Sequence, residues 1–264
     1  MDMTKKKLWI SYLPGQEKEE NLKAFGGQLD KYGFSVSAGF WEDDLKKLAW
    51  INHCEVLEDP AQADIWLIAG EKEQFEKDTI RYGLSVLKLS IEPRRRSHIP
   101  VFILTQGFVL KPGDLPLAFR DVPIFNDSDP SWAAKLVAQA HKKYDVPEYP
   151  YRFFVHAHEY FGQWFEIGPA SGTWNGAMLG VDEGEITHHA VGPKGFPPEK
   201  SVVEYSLRGL KAELNGVEYT AWAVQNKIDE SASYYVKVVG SPGKVIFGEH
   251  PGEEDAEVFV YELV

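Results

Sequence analysis

Cysteine is nearly missing from this chain, with one residue, Cys54, in 264. A single thiol excludes an intramolecular disulfide framework and a thiolate-rich zinc site. Long apolar runs are missing too. The basic start MDMTKKK is followed by a five-residue run, Leu8–Tyr12, before Leu13-Pro14-Gly15. That is too short for the apolar region of a signal peptide, and no stretch approaches the roughly 20 residues of a membrane span. The expectation is a cytoplasmic chain with no membrane partner. Positive charge is scarce, at 28 Lys and Arg against 40 Asp and Glu, for a net charge of −12. So little positive charge would release few counterions from a phosphate backbone, so no nucleic-acid partner is expected. Internal repeats of the kind that would make a propeller are absent as well, and so are low-complexity tracts. What is present is core material: 44% of residues are hydrophobic and 13% aromatic, enough for packed domains.

The charge is uneven. Residues 1–147 carry a net −2 and residues 148–264 a net −10. The change falls at Asp145-Val146-Pro147-Glu148-Tyr149-Pro150, a proline-punctuated stretch that cannot continue a helix. This predicts two domains, 1–147 and 148–264.

The first half alternates short apolar runs with helical spacing. Leu8–Ser11, Phe34–Ser37, Ala63–Ala69, Ile99–Leu104 and Val122–Phe125 read as strands. Leu22, Phe25 and Leu29 recur at helical spacing between Glu17 and Lys31, and Gly33 ends that helix. A second helix is expected over Phe75–Leu89, and a third opens at Asp129-Pro130-Ser131 and runs through Ala140. Strand–helix alternation with nearly continuous apolar strands implies a parallel sheet covered on both faces. The second half instead contains ten short strand-like runs between Tyr151 and Leu263, separated by Gly, Pro, Asn and Asp. Ser201–Leu207 is one of them, and Leu214-Asn215-Gly216-Val217 has the signature of a tight hairpin turn. An antiparallel β-sandwich or barrel is expected there.

The order of signals over residues 5–145 resembles a Toll/interleukin-1 receptor (TIR) domain, of flavodoxin-like α/β fold. The strand Leu8-Trp9-Ile10-Ser11-Tyr12 is similar to the family's first box. Gly33-Phe34-Ser35-Val36 leads into the second strand, and Gly39-Phe40-Trp41-Glu42-Asp43-Asp44 sits where the family carries its variable interaction loop. Ala63–Ala69, Ile99–Phe102, Asp114-Leu115-Pro116 and Ser131-Trp132 complete the match. No family is identified for the second half.

The resemblance implies two activities. Some members cleave NAD at the nicotinamide–ribose bond with a glutamate on the helix after the central strand. Others assemble with further TIR-like domains or another protein partner and require no cofactor. In this sequence the glutamate's expected position is Gly83, following Arg81-Tyr82. The departure favours a signalling or defence-related assembly protein, a homo-oligomer among the options. It leaves Glu76, with Asp78 beside it, as the carboxylates on that segment for an NAD-cleaving alternative. The same residues also read as a solvated acidic first turn favoured by the helix dipole. Ser11 and Tyr12 fall at the carboxyl end of a strand, where open α/β sheets bind ligands. Phe40, Trp41 and Asp43 are the loop candidates for stacking on a nucleotide or meeting a partner.

Other candidates carry less. Arg94-Arg95-Arg96 is the one dense basic run, set in an expected loop and suited either to a phosphate or to solvent. Cys54 lies next to His53, but neighbouring side chains on one element point apart, which leaves Cys54 as packing. His156 and His158 share one face of a strand by period 2, and with His188 they compose a candidate metal set, the alternative being plain exposed strand histidines. A cupin would carry a glutamate four or five residues after that step, where this chain has Gly162 and Gln163. Glu253-Glu254-Asp255 lacks the alternating oxygens of a calcium loop. Trp164, Trp174 and Trp222 suggest either a sugar-stacking face or a core, so a carbohydrate- or peptide-binding β domain is the third alternative.

Overall fold

Five strands with apolar faces open the chain: β1 (Lys6–Tyr12), β2 (Phe34–Phe40), β3 (Ile65–Gly70), β4 (Val101–Thr105) and β5 (Ile124–Asn126). In the computed structural model, which describes residues 5–13, 20–95, 97–142, 148–250 and 257–264, all four pairings among them are parallel. Their order is β2-β1-β3-β4-β5. β3 is buried at every position, as a central strand covered on both faces must be.

One face carries Leu8, Ile10, Tyr12, Leu67, Ala69, Phe102 and Leu104, packed against Phe25 and Leu29 of α1 (Glu20–Lys31) and Trp132, Ala133 and Leu136 of α5 (Trp132–Ala140). Asp129 secures the start of α5, accepting from the Ser131 amide at 2.9 Å and from Lys135 at 2.5 Å. The opposite face bears Trp9, Ser11 and Trp66, on the side of the 3-10 turn Ala49–His53, which runs into the short α2 (Cys54–Leu57). The helix expected over Phe75–Leu89 is present with shifted bounds, beginning three residues later and preceded by a separate short turn of helix. The short turn is α3 (Lys72–Phe75), closed by Glu76, and the helix is α4 (Asp78–Arg95).

Arg94 and Arg95 lie in the last turn of α4 rather than in a loop. Arg95 is 6% exposed and donates to the Leu57 and Ala63 carbonyls, and Arg94 pairs with Glu58 at 2.9 Å. Their guanidinium groups are thus committed to the protein itself. Arg96, residues 145–147 of the boundary stretch and Glu253–Asp255 lie outside the described residues.

The rest of the chain is antiparallel. β6 (Tyr151–His158), β7 (Gly162–Pro169), β12 (Ala232–Val239) and β9 (Glu185–Pro193) compose one sheet in that order. β10 (Leu207–Leu214), β11 (Val217–Asp229), β8 (Thr173–Val181), β13 (Lys244–Gly248) and β14 (Val258–Glu262) compose the second. Their inner faces meet through stacked rings, Phe153 on Phe247 at 4.6 Å. Asn215 (φ 54°) and Gly216 (φ 76°) make the β10–β11 turn, both in the left-handed region that the Asn-Gly pair tolerates.

Ser201–Leu207, expected as a strand, is irregular up to Ser206. Side chains supply several of its hydrogen bonds in place of a ladder, beside one backbone bond from the Gln225 amide to the Glu204 carbonyl at 2.9 Å. Ser201 Oγ bonds both the amide and the carbonyl of Val191, and Asn226 receives the Glu204 amide while donating to the Val202 carbonyl. By contacts the chain forms two compact units. One is Met1–Leu45 with Ala49–Leu87 and Arg94–Val146; the other is Lys46–Leu48 with Lys88–Pro93 and Pro147–Val264.

Candidate functional site

At the far end of β1 the fold sets Ser11 beside Trp9 of its own strand and Trp66 of β3, and closes over it. Ser11 is fully buried. Its Oγ accepts a hydrogen bond from Trp66 Nε1 at 2.9 Å and meets His53 Nδ1 at 3.0 Å. Trp9 Nε1 also donates to His53 Nδ1, at 3.2 Å. An indole N–H can only donate, so Nδ1 is an acceptor and the imidazole proton sits on Nε2, facing the Phe40 carbonyl. Ser11 therefore points its hydroxyl proton at Nδ1. Burial drives the His53 pKa down to about 4, against the opposing pull of the Phe40 carbonyl, so the ring is neutral at pH 7.

A serine hydrogen-bonded to a neutral imidazole has the form of a nucleophile and its base. Ser11 is fully buried and His53 3% exposed, and the pair ties β1, β3 and the 3-10 turn together.

The residues grouped around Ser11 by sequence stay near one another but fall on opposite faces of the sheet, Tyr12 and Phe40 on the α1 face and Trp41 with Ser11 on the other. Tyr12 is fully buried among the aliphatic side chains facing α1, its hydroxyl accepting from Gln106 Nε2 at 3.3 Å. Phe40 is 46% exposed, with its ring edge-on to Tyr12 at 5.8 Å. Trp41 is only 3% exposed and lies over the His53 ring at 5.2 Å. Asp43 is exposed and accepts from Thr79 Oγ1 at 3.0 Å.

A Cβ placed on Gly83 would stand 2.7 Å from Trp41 Cζ2, so the indole fills the space that a side chain at position 83 needs. Glu76, at the end of α3, is 63% exposed and pairs with Lys72 at 3.5 Å. Asp78 is 78% exposed, 4.0 Å from Arg81. Cys54 is buried, and burial pushes its thiol up to about 12, which keeps it protonated.

The strand histidines do share a face. The register aligns His156, Trp164, Lys237 and His188 in one row across β6, β7, β12 and β9. That row sets His188 three strand spacings from His156, about 14 Å away, too far for one metal ion. His156 Nε2 is also committed, lying 2.6 Å from Glu166 Oε2. Among the described residues no group of three or more His, Cys, Asp or Glu side chains converges to hold a metal.

Glu166 and Arg152 were not singled out by the sequence, and they organise this face. Burial pushes the Glu166 carboxyl up, but hydrogen bonds from His156 and from Ser233 Oγ at 2.7 Å outweigh it and hold the group below the usual carboxylate range. The Gly195 amide adds a third donor, at 3.0 Å. Arg152 spans from the Pro169 carbonyl to the Ala232 carbonyl and Ser233 Oγ, balancing the buried anion. The signal available was alternation: Arg152, Glu166 and Ser233 occupy the same strand phase as His156, opposite the apolar phase of Phe153, Phe165 and Tyr234.

Beyond His156, rings gather at the surface. His158 stacks on Phe161 at 5.0 Å, Phe196 is edge-on to Phe161 at 5.8 Å, and Tyr160 is 89% exposed. Trp164 belongs to this sheet while Trp174 and Trp222 belong to the other, so the three tryptophans form no common face. Among the described residues no helix is long and apolar enough to cross a membrane.

No family model and no curated protein matches the chain. Among solved structures, the chain is similar to the translation elongation factor SelB from Methanococcus maripaludis in complex with the GTP analogue GppNHp, at TM-score 0.33 and 9% identity. The match covers 93% of this chain and 57% of that one, and a likeness of this degree carries no argument about fold or activity.

Proposed function

We propose that this chain is a cytoplasmic signalling or defence-related assembly protein, in which a TIR-like, flavodoxin-type α/β unit contacts other TIR-like domains or a protein partner without cleaving NAD. The strand order β2-β1-β3-β4-β5 supports the flavodoxin-type reading, because it is the 2-1-3-4-5 order of that doubly wound class. The observation that carries the non-catalytic reading is the seat of Trp41. Its indole lies where a glutamate at position 83 would project, and Glu76 is paired to Lys72 at the surface. In this reading the exposed Phe40 and Asp43 meet the partner, and no cofactor is required.

The test is incubation of the purified chain with NAD, following release of nicotinamide. The expected result is none above the buffer rate. Robust turnover that Glu76→Gln abolishes would sink the reading in favour of an NAD glycohydrolase.

A second reading assigns the β unit a carbohydrate or peptide ligand. It is favoured by the ring cluster His158, Tyr160, Phe161 and Phe196, an exposed aromatic surface of the kind that marks binding sites. Binding to a panel of neutral oligosaccharides and short peptides that Tyr160→Ala eliminates would support it, and no retention of any member would remove it.

A further inference from the structure

A serine–histidine pair of the same form as Ser11–His53 stands at the surface of the β unit. Ser206 Oγ lies 2.9 Å from His189 Nε2, and His189 Nδ1 lies 2.8 Å from the Tyr234 hydroxyl. Ser11 and His53 are sealed in, whereas Ser206 and His189 are both half-buried.

The two antiparallel sheets bring these residues together. His189 pairs with Val236 of β12 and so turns to the inner side of β9, the last strand of its sheet. There Trp222 of β11 meets the imidazole edge-on at 5.0 Å, and Tyr234, fully buried, braces it from within. The remaining nitrogen, Nε2, meets Ser206 at the end of the irregular segment before β10. Arg208 is exposed, with its guanidinium 4.8 Å over the Trp222 ring, and its Nε donates to Ser206 Oγ at 3.4 Å. Tyr205 (76% exposed) and Leu207 (38%) flank the serine with apolar surface. Tyr205 is also held at φ 46°, in the left-handed region that bulky residues rarely enter. Backbone strain of that kind gathers at reacting groups.

We infer that Ser206 is a nucleophile with His189 as its base, and that it takes acyl groups from carboxylic esters of short apolar chain.

The reaction needs these side chains and water alone. Ser206 Oγ bonds to the ester carbonyl carbon while its proton passes to His189 Nε2. Arg208 sets a positive charge beside the oxyanion that forms. As that intermediate collapses, the bond to the alcohol oxygen breaks and the alcohol leaves with the proton from Nε2. Water then attacks the acyl-serine, Nε2 again taking and returning one proton, and the carboxylic acid departs. This requires the ring proton on Nδ1, donated to the Tyr234 oxygen. Burial, helped by Arg208, lowers the His189 pKa to about 4, so the ring is neutral at pH 7. A base so weak makes a slow catalyst, and the ester turnover expected is correspondingly low.

The full chain is treated with a fluorophosphonate and, separately, with p-nitrophenyl butyrate. The fluorophosphonate loses fluoride to an activated serine and leaves a stable phosphonyl ester, so peptide mass spectrometry locates the nucleophile. A single adduct, on Ser206, is expected. Ser206→Ala is expected to abolish both labelling and p-nitrophenol release above the buffer rate, and His189→Gln to slow them about a hundredfold. Tyr234→Phe, which keeps the ring and removes the positioning hydroxyl, should lower kcat with KM unchanged. With the Ser206→Ala rate subtracted, hydrolysis should hold level from pH 8 to pH 6, where a histidine of ordinary pKa would lose about three-quarters of it.

A wild-type chain that takes no label, or takes it elsewhere than Ser206, overturns the assignment whatever the variants do. So does equal ester hydrolysis by wild type and Ser206→Ala, and so do nitrogen NMR shifts that put the His189 proton on Nε2. None of these results bears on NAD cleavage or on assembly through the α/β unit.

Discussion

Adding one methyl group at Gly83 measures how tightly the space beside Trp41 is closed. Two effects oppose each other in Gly83→Ala. The position lies inside α4, where replacing glycine by alanine is worth about 1 kcal/mol of helix stability. Against this, the new Cβ lands 2.7 Å from Trp41 Cζ2. That is about 1 Å short of ordinary carbon–carbon contact. The indole has little freedom to retreat: Trp41 is 3% exposed, its ring lies 5.2 Å from the His53 ring, and its backbone amide donates to the Tyr12 carbonyl at 2.8 Å. Overpacking of this kind costs about 1–3 kcal/mol, so a net loss of about 1 kcal/mol is expected.

The sign should reverse when the indole is removed. Trp41→Ala alone costs about 3–5 kcal/mol. In that background Gly83→Ala keeps its helix gain without the clash and stabilises by about 1 kcal/mol, a coupling of about 2 kcal/mol in the double-mutant cycle. Urea unfolding followed by circular dichroism of the four variants gives all the terms. If Gly83→Ala stabilises the chain while Trp41 is present, or if the coupling is near zero, position 83 is not closed by Trp41. A glutamate there would then meet no indole in its way.

Acidification should weaken the α/β unit through His53. Its folded-state pKa of about 4 lies below the ordinary 6.5, so its contribution is complete above pH 6.5 and is lost as pH falls toward 4. The loss reaches roughly 3 kcal/mol. Urea midpoints of wild type and His53→Gln between pH 7 and the acid limit check this, the variant showing a flatter slope. Glu166 acts in the same direction in the β unit. Its depressed carboxyl stabilises above the unfolded carboxylate pKa and loses that stabilisation as pH falls through the folded value. Glu166→Gln should cost roughly 3 kcal/mol at neutral pH, the usual cost of leaving one member of a buried charged cluster unpaired, and should speed hydrogen exchange at the Gly195 amide. At the β10–β11 turn, Gly216→Val forces a branched side chain to φ 76° and should cost about 1–2 kcal/mol in thermal unfolding. An unchanged melting temperature there would refute the turn assignment.

By itself the sequence determined the periodicities. Apolar runs such as Ala63–Ala69, and the spacing of Leu22, Phe25 and Leu29, report locally on which backbone geometry buries them, so β3 and α1 were legible. Asn215-Gly216 declared its turn because only such residues accept positive φ at little cost. Alternation also placed His156 and His158 on one face. What alternation cannot carry is distance between strands far apart in the chain. Only the pairing of β6, β7, β12 and β9 set His188 three strands from His156 and brought Glu166, ten residues further along the chain, against its Nε2.

The same holds at the end of β1. Ser11, His53, Trp66 and Trp41 are strangers in sequence, and their hydrogen bonds and stacking exist only because parallel pairing and the 3-10 turn bring them together. Gly83 was visible as a departure. That an indole stands in the space it leaves was decided by tertiary packing, where a single excluded volume settles what no spacing along the chain could express.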